Sequence, residues 1–462
     1  MTKKVDLKLI LAVVAAGLLS FCGIIVETAM NVTFPILMKQ FDINTATVQW
    51  MTTAYLLVVA IMVPISAFLK RRFRTKALFV TANLLFITGL VIDAFTTKFG
   101  VLVLGRVVQG LGTGIALPLM FNIILDWGPE EQLGTLMGIG TLITAIGPAL
   151  GPTFGGLVVS SLGIRWIFIL LLPLLVISLL LGLYAIRQTA APQRVSFDVV
   201  AWVMIMLIFV GFTLTFSNLQ NVGQHPGLVL GYLVVGVAGL IGFTLRTSRS
   251  KNPLINLELF RIRSFDWHLG GFFLVQMTAL GMAFVLPNYM QLVNGQTALV
   301  AGMVLLPGAA IGAICAPLGG RILDRFGAAK PILTGAVVLA VAVIGLAGLG
   351  MRLTPAVILG IYIVAMLGIG LTMGNTMTSG LNQVQGGAHA DGNAVFNTLQ
   401  QFAGAIGTSI VSTIITLIQN QSTGTMAHRI ARGSRVALGF LVILVALNVV
   451  ALTMAMRTRK RD

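Results

Sequence analysis

Apolar runs of about 20 residues recur along the whole chain, and each is long enough to cross a bilayer as one helix. In hydrocarbon, a spanning segment must satisfy its own backbone hydrogen bonds, which leaves helices or a closed barrel. Reading runs between polar breaks places helices near 9–31, 48–69, 77–95, 101–124, 134–159, 165–186, 198–217, 227–245, 265–290, 298–319, 331–350, 356–378, 392–417 and 436–456. Fourteen such helices use up the 462 residues and leave nothing for a folded soluble domain. Composition agrees, with 57% hydrophobic and 9% charged residues and a mean hydropathy of +0.98, where a globular chain carries roughly one quarter charged. The fold class expected is an all-α polytopic membrane protein.

A net charge of +17 would suit a nucleic-acid binder, but the positions of the charges exclude that reading. With both termini on one side, 22 of the 30 Lys and Arg fall on that side and 7 on the other, with Arg106 inside a run. Such asymmetry marks cytoplasmic loops, so both termini are expected in the cytoplasm of a bacterial-type inner membrane. The break 418–435, carrying Arg429, Arg432 and Arg435, runs against the pattern. Lys3, Lys4 and Lys8 before an apolar run resemble a signal peptide, but no small-residue cleavage site follows and Phe21 spoils a lipoprotein-like reading before Cys22. A retained first helix is expected.

Cys22 and Cys315 both lie in apolar runs, and His225, His268, His389 and His428 are scattered. Neither a disulfide framework, a metal site nor any cofactor is suggested. The chain lacks GxxxxGK[ST], HExxH and GxSxG, so it reads as no enzyme and no ATP-driven pump, and an ion gradient is the natural energy source.

A weak internal repeat organises the chain. Pro64-Ile65-Ser66-Ala67-Phe68-Leu69 precedes the basic break Lys70–Lys76, much as Pro317-Leu318-Gly319-Gly320-Arg321-Ile322 leads into Asp324-Arg325-Phe326-Gly327. Repeats of this kind build many transporters. Aligning the two predicts six-helix bundles over 1–186 and 265–462, with two inserted helices over 187–264. Within the first bundle, Gly134–Gly156 places Gly147, Gly151 and Gly155 four apart on one helix face, with Pro148 and Pro152 one residue on. Small residues at that spacing let helices approach closely, and the prolines remove donors and should bend the helix. A packing groove and a moving gate both fit the pattern.

Glu27 is the one acid deep in an apolar run, since Asp93, Asp126 and Asp266 sit near run ends where solvated or capping roles are expected. A carboxylate in hydrocarbon must face a cavity, find a partner or hold a proton, which makes Glu27 the leading proton or substrate site. Asn31 lies one turn on and shares its face. A buried acid serving packing alone is the alternative. Arg106 needs acceptors inside the membrane and suits either anchoring or proton coupling. Gln109 and Thr113 extend its face. Asn393, Asn397, Gln400, Gln401 and Gly404 mark a further polar face that would line a cavity or bind neighbouring helices. Gln276, Asn288 and Tyr289 are weaker cavity candidates, and the 20 Met and 26 Phe residues suit ordinary lipid-facing or core positions as well as a greasy pocket.

Four of these motifs resemble those of the major facilitator superfamily, and specifically its fourteen-helix drug/proton antiporters. They are Glu27-Thr28-Ala29-Met30-Asn31 in the first helix, Gly105-Arg106-Val107-Val108-Gln109-Gly110 in the fourth, Gly147-Pro148-Ala149-Leu150-Gly151-Pro152 with Gly155 in the fifth, and Gly320 through Gly327 in the later loop. The first loop departs from the family pattern, with Ala67, Arg71 and Arg74 where Gly, Asp and Gly are usual. That loop, the Glu27-Thr28 pair, Trp50 and Tyr55 are similar to the lincomycin-resistance branch. The resemblance implies a proton-coupled antiporter that exports lipophilic drugs or amphiphilic metabolites by alternating access, and so multidrug efflux and antibiotic resistance. Arg106 would take part in coupling, the Gly147–Gly155 helix would shape the seal, and Asp324 and Arg325 would hold the bundles in one state. The partners expected are a small amphiphilic substrate, protons and the lipid bilayer, with no nucleic acid and a monomeric chain. With one deep acid, neutral, zwitterionic or monocationic amphiphiles are expected rather than dications. Two alternatives stand beside this reading: an exporter of lipids or cell-envelope precursors, and a non-transporting receptor or scaffold.

Overall fold

The computed structural model describes residues 6–458 apart from 44, 189–191, 194–196, 220–221, 224, 251–253, 385–387 and 422–423. Its helices are α1 Leu7–Phe41, α2 Thr45–Met62, α3 Ser66–Arg72, α4 Thr75–Phe95, α5 Phe99–Trp127, α6 Leu133–Ser161, α7 Arg165–Ile169, α8 Leu172–Ala185, α9 Val199–Ser217, α10 Pro226–Ser248, α11 Arg263–Leu292, α12 Ala298–Phe326, α13 Ala329–Gly348, α14 Pro355–Leu381, α15 His389–Gln421 and α16 Met426–Thr458. Thirteen segments among the described residues are long and apolar enough to cross a membrane. The 29-residue α6, packed among them, makes a fourteenth long helix.

Proline explains why two of the expected spans are split. A 3-10 turn at Val63–Ile65, carrying Pro64, separates α2 from α3, and Pro173 opens α8 after the short α7, since proline brings no donor and fits best in a first turn. Two ends fall elsewhere than the polar breaks suggested. The first helix runs on from 31 to Phe41 and stops at Asp42, whose φ of 52° turns the chain out of the helix. The arginine-bearing stretch 426–435 is the start of α16 rather than a loop. Ile430, Ala431 and Ser434 there are buried while Arg432 and Arg435 are exposed. Charges that share one face of an amphipathic helix do not end it.

The architecture is that of two six-helix bundles with two additional helices. Helix α6 is the shared wall, lying on α1 along one face and on α12 along the other. Its glycines account for both contacts. A Cβ on Gly151 would come within 1.8 Å of Thr28 Oγ1 on α1, and one on Gly138 within 2.6 Å of the Ala316 carbonyl on α12. The pair α9 and α10 packs on itself, and α9 touches α2 and α15, where Phe209, Phe212 and Phe216 surround Phe402 edge-on. The outer side of α10, with Leu230, Val234 and Ile241, is exposed and apolar, as a lipid-facing surface should be.

Candidate functional site

Arg106 is fully buried a quarter of the way along α5, and three helices converge on it. Its Nη1 donates to Gln109 Oε1 at 2.6 Å, and its Nε donates to the Met51 carbonyl of α2 at 3.4 Å. The guanidinium lies 4.1 Å from the centre of the Tyr55 ring, close enough for a cation–π contact. Tyr55 in turn donates to Thr113 Oγ1 at 3.0 Å. The spacing of Arg106, Gln109 and Thr113 therefore makes one polar face, and α2 closes it.

Glu27 reaches this cluster from α1. It is half-buried, and it lies within electrostatic reach of both Arg106 and Tyr55. Helix α1 comes this near because Gly23 carries no side chain: a Cβ there would sit 2.8 Å from Thr113 Oγ1. Thr28, the next residue on, donates to the Ile24 carbonyl at 2.9 Å and faces the Gly147 carbonyl of α6 at 3.4 Å. The acid, the guanidinium and the glycine face of α6 are consequently neighbours. The side chains of Asn31, Pro148 and Pro152 lie outside the described residues.

Asp93 belongs to the same cluster, contrary to the solvated or capping role expected from its place near a helix end. It is 2% exposed, and its Oδ2 accepts from Gln109 Nε2 at 2.7 Å. The reason is close packing of α4 on α5, with Gly105 leaving room that a Cβ would take, 1.9 Å from Asp93 Oδ1. The single-acid premise behind the expected preference against dications thus fails. Chain position had stood in for exposure, and Gly105 beside Arg106 was the available signal.

A second polar group of contacts joins the halves at the end that carries the basic breaks. Asp324 takes Gly134 N on Oδ1 at 2.9 Å, and Thr135 N and Oγ1 on Oδ2 at 3.0 and 2.7 Å. A carboxylate there meets the unpaired donors of the first turn of α6 and the positive end of its dipole. Gly320 permits the approach, since a Cβ on it would lie 2.2 Å from the Gly134 carbonyl. At the repeat-related place, Arg71 forms an ion pair with Asp391 in the first turn of α15. The departure from the family pattern in the first loop is therefore matched by an acid on the opposing helix, a partner 320 residues away that no local pattern announces. Between the two, Asn393 Nδ2 donates to the Pro118 carbonyl at 3.1 Å and to Asn122 Oδ1 at 2.8 Å.

The remaining candidates spread over the C-terminal half. Asn397 donates to the Asn393 carbonyl at 2.9 Å and to Asn393 Oδ1 at 2.7 Å, so both amides belong to the seam in this conformation. Asn288 donates to the Phe284 carbonyl of its own helix at 2.8 Å. Tyr289 is buried against the backbone of Leu353, away from the Arg106 cluster. Gln276 is buried and Gln400 partly so. Arg325 is exposed, its guanidinium 5.2 Å from the centre of the Phe326 ring, while its neighbour Asp324 does the bridging.

Comparison with known proteins places these features in a wider group. The Major Facilitator Superfamily model matches residues 16–408. The chain is 35% identical over 413 residues to the lincomycin resistance protein LmrB of Bacillus subtilis (strain 168), covering 89% of this chain and 86% of that one. It is 37% identical over 395 residues to the LmrB of Listeria monocytogenes, covering 86% and 84%. Among solved structures, the human organic anion transporter MFSD10 matches with a TM-score of 0.69 at 12% identity, over 96% of this chain and 99% of that one, a likeness of fold.

Proposed function

The chain belongs to the major facilitator superfamily and is therefore a membrane transporter rather than an enzyme, and from that premise we propose that it is a proton-coupled exporter of lipophilic drugs or amphiphilic metabolites. The observation that carries the reading is the buried Arg106, which joins α2, α4 and α5 and has Glu27 within its field. A site of this kind couples two ligands through one charge. With Glu27 ionised, its carboxylate offers an acceptor to a cationic or polar substrate group; a proton on Glu27 removes that acceptor and favours release.

The basic end is assigned to the cytoplasm, and 1–186 and 265–462 are assigned as the two rocking bundles around the inserted helices. On that assignment the contacts of Asp324 and Arg71 close the cytoplasmic side, α6 slides or separates along its glycine face as access alternates, and protons enter from outside. Relatives named for lincomycin resistance support drug export as the output.

The test is transport in proteoliposomes with an imposed pH gradient, screening lincosamides, lipophilic cations and lipids. Gradient-dependent movement of a drug is expected. Glu27→Gln should abolish gradient-driven export while the protein elutes and melts like the parent. Full export by that variant would overturn the coupling role.

A further inference from the structure

A buried carboxylate, Asp93, and a half-buried one, Glu27, share the field of one buried guanidinium, and that ratio has a consequence for where a proton resides. We propose that Asp93 is a second proton-holding group of this site, so that Glu27 and Asp93 together hold one exchangeable proton around Arg106. The inference rests on the proton-coupled reading above and extends it to a residue outside the helix that carries Glu27.

The geometry around Asp93 is that of a group built for two protonation states. Its Oδ2 has one neutral donor, Gln109 Nε2, and its Oδ1 is buried with no hydrogen-bond partner among the described residues. No cation lies within ion-pair distance of it among the described residues. Gln109 is oriented by chemistry rather than by choice: Arg106 has only donors, so it faces Oε1, and Nε2 is left to face Asp93. The amide thereby links both ionisable groups. On Arg106, Nη2 is likewise buried and has no hydrogen-bond partner among the described residues. An isolated charge in such surroundings is costly, and one guanidinium offsets one carboxylate. With both acids ionised the cluster is −1; with one proton bound it is neutral. The proton then belongs to the pair rather than to either residue.

Position supports an entry role. Asp93 lies two residues before the end of α4 remote from the basic loops, about 3 Å along the axis, whereas Glu27 lies fourteen residues, about 21 Å, before the corresponding end of α1. The titratable groups facing Asp93 are Arg106 from α5, with Glu27 of α1 and Tyr55 of α2 beyond it. Arg165 at the start of α7, Tyr184 on α8 and Lys98 before α5 are exposed.

Infrared difference titration of the purified, substrate-free protein tests this directly. The protonated-carboxyl band at neutral pH should be present in the parent and lost in both Asp93→Asn and Glu27→Gln, because each leaves a single carboxylate to balance Arg106. A band unchanged in Asp93→Asn would overturn the proposal. If that variant does not fold, the parent grown with carbon-13 aspartate serves instead: part of the titrating band must shift, and a band without an aspartate component overturns the proposal equally. The readout needs no transport. A parent that holds the shared proton yet moves no probe across a pH gradient would therefore fail the coupling reading alone.

Discussion

A guanidinium has five donors, no acceptor and no accessible neutral form, so everything placed around Arg106 must adapt to a fixed cation. Met51, Gln109 and Tyr55 each meet a different part of it. A lysine has one ammonium and cannot face all three. Arg106→Lys is expected to lower stability by roughly 2 kcal/mol, the size of a lost charge-assisted hydrogen bond, and to cut gradient-driven export more than about tenfold; melting in detergent and proteoliposome flux measure the two. Tyr55→Phe keeps the ring under the cation but loses the bond to Thr113. It should cost about 1 kcal/mol and leave export largely intact. Spacing along one helix made Arg106, Gln109 and Thr113 legible as a face. Asp93 was hidden because its burial depends on a neighbouring helix, which Gly89 and Gly105 allow to come close.

Helix α6 shows how one element serves two partners. The four-residue spacing of Gly147, Gly151 and Gly155 predicted a close contact, and the contact is with α1 at Ile24, Thr28 and Ala29. Nothing in that spacing says which helix is the partner, nor that Gly134 and Gly138 present a second face to α12. Gly156 gives an internal control, since a Cβ there meets nothing within 4 Å. Gly151→Leu should destabilise by about 1–3 kcal/mol, as overpacking does, and impair export more than probe binding. Gly156→Leu should match the parent in both thermal melting and flux. Equal behaviour of the two variants would show that the α1–α6 contact yields easily.

At the scale of the whole molecule, the repeat-related ends of α3 and α12 meet the opposite half with opposite signs: Asp324 reaches from the C-terminal half to α6, and Arg71 from the N-terminal half to Asp391. Arg71→Asp places two acids together and should open this seam. A cysteine at Ala394, which is buried with Ala67 in the seam, should then react faster with a membrane-impermeant maleimide in inside-out vesicles. Adding Asp391→Arg should return labelling toward the parent rate, because the pair is restored with its charges exchanged. Labelling that ignores both changes would remove Arg71 from the seal.

Local chemistry written along the chain was enough for the all-helical membrane class, the number of long helices and the polar face of α5, because apolar length and helical periodicity act within one segment. The capture of Asp93, the pairing of Arg71 with Asp391 and the two partners of α6 came from packing between segments. Each depends on how closely two backbones approach, and that distance is set by side chains far apart in the sequence.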